Sequence, residues 1–432
     1  MDIFDVLKKF LSKNLDLKKP ILLGFSGGID SSALLDLLLK YRDVYTLNLH
    51  VATIDHGWRE ESAIESEIIK KRMKKLNITF HFKKLKLKKA KNLENAFREE
   101  RFKFFKKLCT KYDFGALLLA HQKDDLAETV LKRILEGANL FNLTSMSEIS
   151  KRDSMTIWRP LLDVSRKELI KYLKINEITY FSDATNENTK YLRAKMRCDI
   201  FPYLKKNFNK QIENNLKMLS IRSKELDAYL ETKLNPFFSK LKKLPLGVCI
   251  DLNEIEHALE LKYILKKISN KQMVDLSRDV IDQLSFWLLE KKANLRLKLK
   301  NANLFADRGY FFILKKDFKL FNTKTLLKEG RFNLGNWQVE IRKVNKALKN
   351  STWQDFFNNK LKIYVPKDKY FIALPKVDNR LKKLMQNAKV PSFLRRHIPV
   401  LYNKNKGTYD FLSAKKTKLD NSEIWQISLL LK

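Results

Sequence analysis

The chain has 432 residues, in which 87 lysines and arginines outnumber 49 aspartates and glutamates, giving a net charge of +38 at pH 7. Such a charge favours a polyanionic partner such as nucleic acid, although a lysine-rich genome composition is an alternative source of part of the excess. The three cysteines, Cys109, Cys198 and Cys249, are far apart, which disfavours a disulfide framework and a zinc or iron–sulfur site.

The first chemically distinctive stretch is a glycine-rich turn between two apolar segments. Residues 21–25 have the length of a buried strand, and the Leu-rich residues 33–39 have the composition of a helix. The turn between them contains Ser26, Gly27, Gly28, Ile29, Asp30 and Ser31. The start of a helix attracts anions, and glycine lets the backbone approach a phosphate closely. Asp30 suits such a place only if a cation such as Mg²⁺ lies between it and the anion. For Ser-Gly-Gly alone, an ordinary capped turn is the alternative.

Strands and helices alternate along the first half of the chain. We predict strands at residues 46–54, 78–82 and 116–120, with helices at 62–76, 94–111 and about 121–136. A last strand near residues 157–162 precedes a helix that Ser165 and Glu168 begin as a capping box. This alternation predicts an α/β fold with a doubly wound parallel sheet.

Three polar segments, residues 26–31, 55–62 and 121–125, each follow a predicted strand. Ligands of doubly wound sheets bind at the carboxyl ends of the strands. We therefore expect the three segments to converge on one site, with Asp55 and His56 beside a bound nucleotide. For Asp55 and His56 alone, a polar loop without a function is the alternative.

A second polar cluster consists of His121, Asp125 and Glu128. Their spacing at the start of a helix places them on one face. Such a cluster can hold Mg²⁺, accept a proton or bind an ammonium group. A capping cluster on a solvated helix is the alternative, but a phosphate-binding loop in the same sheet favours the functional interpretation.

Four arginines are candidates for phosphate contacts. Arg98 and Arg101 lie on one predicted helix, and Arg193 and Arg197 lie near the end of the predicted sheet domain. Guanidinium groups bind phosphates through two parallel hydrogen bonds. A surface position on a basic helix is the alternative for all four.

The second half of the chain predicts two further domains. We place the first boundary near Lys210, so that residues 1–210 form the α/β domain. Residues 211–320 are predicted to be mostly helical, with a strand-like stretch at 305–314, and residues 321–432 to form a small α+β domain.

Basic residues of the last domain flank apolar ones, an arrangement that suits contact with a phosphate backbone. They are Lys382, Lys383, Arg395 and Arg396. No segment of the sequence reaches transmembrane length, and the N-terminal segment lacks the apolar core of a signal peptide. We therefore expect a cytoplasmic protein without a membrane partner.

The turn at residues 26–31 resembles the pyrophosphate loop, Ser-Gly-Gly-x-Asp-Ser, of ATP pyrophosphatases that adenylate their substrates. Further motifs make essentially the whole chain similar to one family, the bacterial tRNA(Ile)-lysidine synthetases. They are Asp55-His56-Gly57-Trp58-Arg59-Glu60-Glu61-Ser62, Ala120-His121-Gln122-Lys123-Asp124-Asp125-Leu126-Ala127-Glu128-Thr129, Arg159-Pro160-Leu161-Leu162, and Lys389-Val390-Pro391 followed by Arg395. The chain departs from the family pattern twice, with Gln122 in place of a second His and Ala194 in place of an Asn. Neither that His nor that Asn can therefore be required here.

The resemblance implies a two-step reaction on a tRNA. ATP adenylates the 2-carbonyl oxygen of the wobble cytidine in the CAU anticodon of tRNA(Ile), with Mg²⁺ present, and pyrophosphate leaves. The side-chain amine of free L-lysine then attacks that carbon and AMP leaves, which changes the codon read from AUG to AUA. A homodimer is a further expectation, and the sequence does not determine the oligomeric state.

The resemblance also implies roles for the residues already singled out. The turn at residues 26–31, with Asp55 and His56, would bind ATP. Asp30 and Asp125 would bind Mg²⁺, and His121 or Asp125 would act as acid or base. Glu128 would bind the ammonium group of lysine. Arg98 and Arg193 would bind phosphate and stabilise the charge of the transition state. The tRNA would be bound by Lys382, Lys383, Arg395 and Arg396.

Three other interpretations compete with this one. A tRNA thiolase shares the loop and the substrate class, but many thiolases use cysteine pairs or an iron–sulfur cluster. A small-molecule synthetase such as a GMP synthetase would need neither the basic charge nor the additional domains, and no glutaminase domain is evident. A non-catalytic RNA-binding protein with a degenerate nucleotide fold is disfavoured by the intact Asp30, Ser31 and Asp125.

Overall fold

The computed structural model divides the chain into two compact units, Met1–Asp227 and Ala228–Lys432. The residues described are 2–55, 61–85, 93–143, 146–181, 192–208, 211–244, 247–316, 325–326, 329–334, 337–344, 360–366, 370–373, 379–395, 400–403, 408–410 and 424–431. Two predicted site residues, His56 and Arg396, lie outside these ranges. The division into three domains, with boundaries near residues 210 and 320, stays a prediction.

The first unit is built on a six-stranded sheet of order β3-β2-β1-β4-β6-β5. Its strands are β1 (Ile21–Gly24), β2 (Leu49–Asp55), β3 (Thr79–Lys84), β4 (Ala116–Leu119), β5 (Ile149–Arg152) and β6 (Met155–Trp158). All neighbouring pairs are parallel except β5 with β6. The predicted doubly wound α/β fold is confirmed, and the edge strand β5, which returns antiparallel through a short hairpin, was not predicted.

Helices cover both faces of this sheet. They are α1 (Ile3–Asn14), α2 (Ile29–Val44), α3 (Glu61–Lys75), α4 (Leu93–Tyr112), α5 (Lys123–Leu135), α6 (Arg166–Ile175), α7 (Leu192–Lys195) and α8 (Phe201–Phe208). Successive strand residues point to opposite faces. Leu23 and Leu118 therefore pack with Leu34 of α2 on one face, whereas Leu22 and Leu117 pack with phenylalanines of α4 on the other. Burying each leucine side chain stabilises the fold by roughly 1.5–3 kcal/mol.

The second unit contains a five-stranded sheet of order β7-β8-β11-β10-β9. Its strands are β7 (Lys242–Leu244), β8 (Gly247–Asp251), β9 (Leu295–Lys298), β10 (Ala302–Asp307) and β11 (Tyr310–Lys315). The helices of this stretch are α9 (Ile212–Ser239), which begins in the first unit, α10 (Ala258–Lys271) and α11 (Arg278–Leu289). The prediction of a mostly helical stretch with a strand only at 305–314 did not include β7 and β8. There a short β-branched run, Val248 to Ile250, is buried and pairs with β11.

Two four-stranded sheets follow. Their elements are β12 (Thr325–Leu326), β13 (Gly330–Leu334), β14 (Trp337–Val344), β15 (Lys360–Pro366), β16 (Tyr370–Ala373), α12 (Asn379–Asn387), β17 (Val400–Asn403), β18 (Thr408–Asp410) and β19 (Ile424–Leu431). The sheet orders are β12-β16-β17-β18 and β13-β14-β19-β15. Among the helices described in either unit, none is long and apolar enough to cross a membrane.

Candidate active site

The turn between β1 and α2 is shaped by hydrogen bonds among its own residues. The Ser31 hydroxyl donates to the Gly28 carbonyl at 3.1 Å, and the Ser32 hydroxyl donates to the Gly27 carbonyl at 3.1 Å. Gly28 precedes the first turn of α2, where no described side chain caps the helix. The first N–H groups of α2 are therefore available to an anion.

Gly27 can be replaced by no other residue without a change in this turn. Its φ of +79° lies in the left-handed region, and a Cβ atom there would lie 2.5 Å from the Phe181 ring. The Phe181 amide also donates to the Gly27 carbonyl at 2.9 Å. The glycine thus fixes how the turn meets the segment after α6.

The turn opens onto a cavity of about 700 Å³ at the carboxyl ends of the parallel strands. Its polar and charged lining includes Ser26, Asp30, Ser31, Arg101, His121, Asp125, Arg166 and Arg197. Gly28 and Ile29 line it too. The predicted convergence of segments 26–31 and 121–125 is confirmed, and the volume falls in the range of small-molecule sites. Most of the third predicted segment, including His56, lies outside the described residues.

Asp30 is incompletely neutralised. Its Oδ2 lies 3.6 Å from Arg166 Nη1, whereas its Oδ1 is buried without a hydrogen-bond partner. Burial, reinforced by the charge of Asp125, raises the pKa of Asp30 to about 6. A buried carboxylate with an unpaired oxygen favours binding of a cation or a proton.

Asp125 and Glu128 share one cation, the guanidinium of Arg197. Arg197 Nη2 donates to Asp125 Oδ1 at 2.8 Å and to Glu128 Oε2 at 3.2 Å, and its Nε donates to Glu128 Oε1. Glu128 is almost fully buried, and burial raises its pKa despite the contact with Arg197. Asp125 and Glu128 of the predicted second cluster therefore lie together, and their basic partner is Arg197, which the sequence analysis considered only as a candidate for phosphate contact.

The start of α5 differs from the prediction. Gln122 is the N-cap, its Oε1 accepts from the Asp124 amide at 2.6 Å, and Asp125 Oδ2 accepts from the Gln122 amide at 3.2 Å. His121 therefore precedes the helix and does not share a helical face with Asp125. Both residues still line the cavity, because the turn after β4 directs them there.

Arg101 supplies a buried cation on the wall formed by α4. Its Nε has no hydrogen-bond partner, and burial together with Arg98, Arg193 and Arg152 lowers its pKa to about 10. Arg98 and Arg193 themselves are exposed, and the Arg98 guanidinium lies 5.4 Å from the centre of the Phe102 ring. The structure thus places Arg101 in the lining of the same cavity as Asp30 and Asp125.

His121 contacts Arg159, which follows β6. Arg159 Nε donates to His121 Nδ1 at 3.2 Å. Burial, reinforced by Arg159 and the nearby arginines, lowers the pKa of His121 to about 3. His121 is therefore neutral at physiological pH.

Asp55 is buried at the end of β2 and pairs with Lys84, whose Nζ lies 3.8 Å from Asp55 Oδ2. Two other β2 residues, Ala52 and Ile54, line the cavity. Successive side chains of a strand point to opposite faces. The Asp55 side chain is therefore on the other face of β2 from those of Ala52 and Ile54 and does not line the cavity, and its role in ATP binding stays a prediction.

The predicted tRNA-binding residues lie in the second unit. Lys382 and Lys383 are exposed on α12, whose Leu381 and Met385 are buried. Arg395 donates to the Val390 carbonyl at 3.1 Å, and burial lowers its pKa. The intervening Phe393 stacks on Phe305 of β10 with ring centres 3.9 Å apart, which fixes this segment against the five-stranded sheet.

Asp30 and Asp125 meet the chemical requirement for Mg²⁺. This ion often uses one or two protein carboxylates and completes its shell with waters and substrate phosphates. The unpaired Oδ1 of Asp30, near the start of α2, is a donor atom of the kind that such a shell uses. Within the described ranges no three His, Cys, Asp or Glu side chains form a metal cluster. The carboxylates of Asp30 and Asp125 therefore fit an ion that is bound jointly by the protein and a nucleotide.

Three cavity or cavity-supporting residues were missed by the sequence reasoning: Arg159, Arg166 and Phe181. The Arg166 amide donates to Asp124 Oδ2 at 2.9 Å, so α6 is tied to the start of α5. A sequence signal existed for two of them. Arg159 belongs to the quoted Arg-Pro-Leu-Leu motif, and Arg166 is the first residue after the predicted cap Ser165.

Comparisons with known proteins agree with this architecture. A family described as PP-loop domain matches residues 3–204. A tRNA(Ile)-lysidine synthase of Protochlamydia amoebophila (strain UWE25) is 33% identical over 427 residues, covering 96% of this chain and 93% of that protein. The enzyme of the same name from Chlamydia caviae is 34% identical, covering 72% of this chain and 97% of that protein. The one from Chlamydia pneumoniae is 36% identical, covering 69% and 94%.

Proposed function

Since the chain belongs to the tRNA(Ile)-lysidine synthase family, an ATP-dependent ligase family that modifies tRNA, we propose that its cavity unites ATP, the wobble cytidine and lysine. The family reaction joins lysine to carbon 2 of that cytidine through an adenylated intermediate. The observation that carries the proposal is a cavity lined by residues of both charges. Its acidic wall consists of Asp30 and Asp125, with Glu128 joined to Asp125 through Arg197 although Glu128 does not itself line the cavity. Its basic wall contains Arg101. A site that binds both a cation and an anion needs both kinds of wall.

The start of α2 would hold the pyrophosphate of ATP. Its N–H groups, together with the Ser26 and Ser31 hydroxyls, offer donors around the turn. Donors fixed before the reaction stabilise charge that develops on a leaving group. Gly28 and Ile29 would contribute through their backbone groups, not through their side chains.

Asp30 and Asp125 would hold Mg²⁺ against the nucleotide phosphates. The ion would supply charge neutralisation while pyrophosphate leaves. The raised pKa of Asp30 supports this role, because a carboxylate that is costly to ionise alone is stabilised by a bound cation.

Glu128 would bind the ammonium group of lysine. The side chain is buried and already contacts a cationic partner, Arg197, so its position accommodates positive charge. Lysine must lose a proton before its amine can attack, and the burial that raises the Glu128 pKa makes the carboxylate a better proton acceptor.

Arg101, with Arg98 and Arg193 near the mouth of the site, would bind the phosphate that connects AMP to the cytidine. The unpaired Nε of Arg101 supports its inclusion, which the sequence left open. Lys382, Lys383, Arg395 and Arg396 would contact the tRNA backbone. The homodimer and a cytoplasmic location stay predictions.

The proposal is tested by incubating the full chain with ATP, Mg²⁺, labelled L-lysine and a tRNA(Ile) transcript bearing CAU. We expect one lysine to be transferred for each pyrophosphate and AMP released. A tRNA(Met) transcript, which shares the anticodon, is the matched control and should receive little lysine. Pyrophosphate release without lysine transfer, or transfer of sulfur or ammonia instead, would overturn the proposal.

A further inference from the structure

The position of His121 in the cavity is set by a residue that is distant in sequence. β4 and β6 are parallel neighbours, with Leu118 opposite Trp158. The segments that leave these two strands therefore emerge side by side. His121 and Arg159 lie on them and are in contact.

Arg159 is held rigidly at this contact. It is 6% exposed, and its Nη1 donates to the Ser147 carbonyl at 2.9 Å and to the Ser150 hydroxyl at 2.8 Å. These two hydrogen bonds fix the guanidinium, and its Nε donates to His121 Nδ1 at 3.2 Å. Burial lowers the pKa of Arg159 only to about 10, so the guanidinium is protonated at physiological pH.

A guanidinium has hydrogen-bond donors and no acceptor. The Nδ1 atom that it contacts must therefore present a lone pair. In a neutral imidazole the proton is then on Nε2. We propose that Arg159 is a positioning residue that fixes His121 in the Nε2–H tautomer, so that His121 offers the reaction a hydrogen-bond donor and not a base.

The surroundings of His121 support this assignment. The charged groups that act on it are Arg159, Arg101, Arg98 and Arg193, all of them cationic. They oppose a second proton on the ring. Among the described residues no hydrogen bond to Nε2 occurs, and His121 lines the cavity, so this N–H is available to a substrate oxygen.

The consequence for the chemistry rests on the proposed function. Transfer of the adenylyl group places negative charge on oxygens of the phosphate, and a neutral N–H fixed in advance stabilises that charge. The proton stays on His121 throughout. Proton removal from lysine is thereby left to the carboxylates, with Glu128 the residue proposed to contact the ammonium group.

The first test is spectroscopic and does not depend on activity. The full chain, labelled with ¹⁵N-histidine, contains six histidines, and the His121→Gln spectrum identifies the His121 signals by subtraction. We expect Nε2 to carry the proton and Nδ1 to be bare, without change as the pH falls from about 8 to about 5. A proton on Nδ1, or an imidazolium in this range, would overturn the proposal.

Arg159→Met tests the positioning role. Without the guanidinium nothing fixes the proton on Nε2, so the Nδ1–H tautomer of His121 should become populated, and the rate of lysine transfer should fall about tenfold or more. Arg133→Met is the control, because Arg133 is half-buried and, like Arg159, donates to a backbone carbonyl, that of Asn142, away from the cavity. It should leave the His121 spectrum unchanged. An unchanged His121 spectrum in Arg159→Met would refute the positioning role even if activity fell.

A pair of His121 variants distinguishes a donor from a base. Gln keeps an N–H donor and cannot accept a proton, whereas Ala keeps neither. We expect His121→Gln to retain activity within about tenfold of the wild type and His121→Ala to lose about a hundredfold. Equal loss in both would contradict the donor role. If the wild type shows the expected tautomer but transfers no lysine, the proposed function fails and the tautomer assignment stands.

Discussion

The acidic and basic walls of the cavity differ in the direction in which burial shifts the pKa values of their residues. On the acidic wall, burial raises the pKa values of Asp30 and Glu128, and on the basic wall burial lowers those of Arg101 and His121. Since His121 is neutral, the charge of the basic wall is that of Arg101, whereas Arg197 joins the two acidic residues of α5. The difference indicates a cavity prepared for both a cation and an anion.

The largest effect should follow removal of a carboxylate from the acidic wall. We expect Asp125→Ala to slow pyrophosphate release about a thousandfold, since it removes a proposed Mg²⁺ ligand and a partner of Arg197. Release is measured with ATP and tRNA(Ile) at saturating Mg²⁺. The control is Asp163→Ala, a variant of an exposed carboxylate that pairs with Lys217. Normal release by Asp125→Ala would eliminate the metal role.

On the basic wall, activity and stability should move in opposite directions. Arg101→Met should lower the rate of lysine transfer about a hundredfold, because a phosphate contact is lost. The same variant should unfold at an equal or higher temperature, since a buried cation with an unpaired Nε is replaced by an apolar side chain. A destabilised variant would show that Arg101 has a structural partner in the protein.

The basic wall also predicts a pH dependence of stability. The pKa of His121 is about 3 in the folded protein, below its unfolded value, so the unfolded chain binds more protons as the pH falls. Between about pH 7 and about pH 5 this costs about 2 kcal/mol of folding free energy. His121→Gln should lose that part of the pH dependence in urea unfolding. Equal pH dependence in the variant and the wild type would contradict the assigned pKa.

The smallest effect should come from charges outside the cavity. Lys382 and Lys383 are exposed, so salt screens them and each contributes little. The double change to alanine should weaken tRNA binding several-fold and reduce its salt dependence, with no change in ATP binding. Filter binding across a salt series measures this. Unaltered salt dependence would remove α12 from the tRNA-binding surface.

Local sequence patterns predicted the sheet and the turn at residues 26–31 because both depend on neighbouring residues. Apolar runs of strand and helix length determine the alternation, and Gly27 is readable as a turn residue. The spacing of Asp125 and Glu128 likewise placed both on α5. Contacts between residues that are distant in the sequence could not be predicted from local patterns. Arg197 reaches Asp125 across 72 positions, and nothing local distinguishes it from Arg193.

The helix containing these two arginines shows why. A regular helix would place residues four apart on one face. Here Arg193 lies in α7 and Arg197 in the π-helical segment Met196–Ile200 that follows it. Arg197 then contacts the acidic cluster while Arg193 is exposed. Similarly, α5 begins after His121, with the buried Gln122 as its N-cap, so helix spacing does not determine the position of His121. The contact that does involve His121 is the hydrogen bond from Arg159, which is distant in sequence.

The most direct test of the two-wall account uses Glu128→Gln, which removes one charge from the acidic wall and keeps the side-chain volume. Pyrophosphate release and lysine transfer are measured in the same rapid-quench experiment with ATP and tRNA(Ile). We predict that pyrophosphate release stays near the wild-type rate while lysine transfer falls at least about tenfold and requires more lysine. A parallel loss of both would contradict the division of the cavity into separate cation and anion walls.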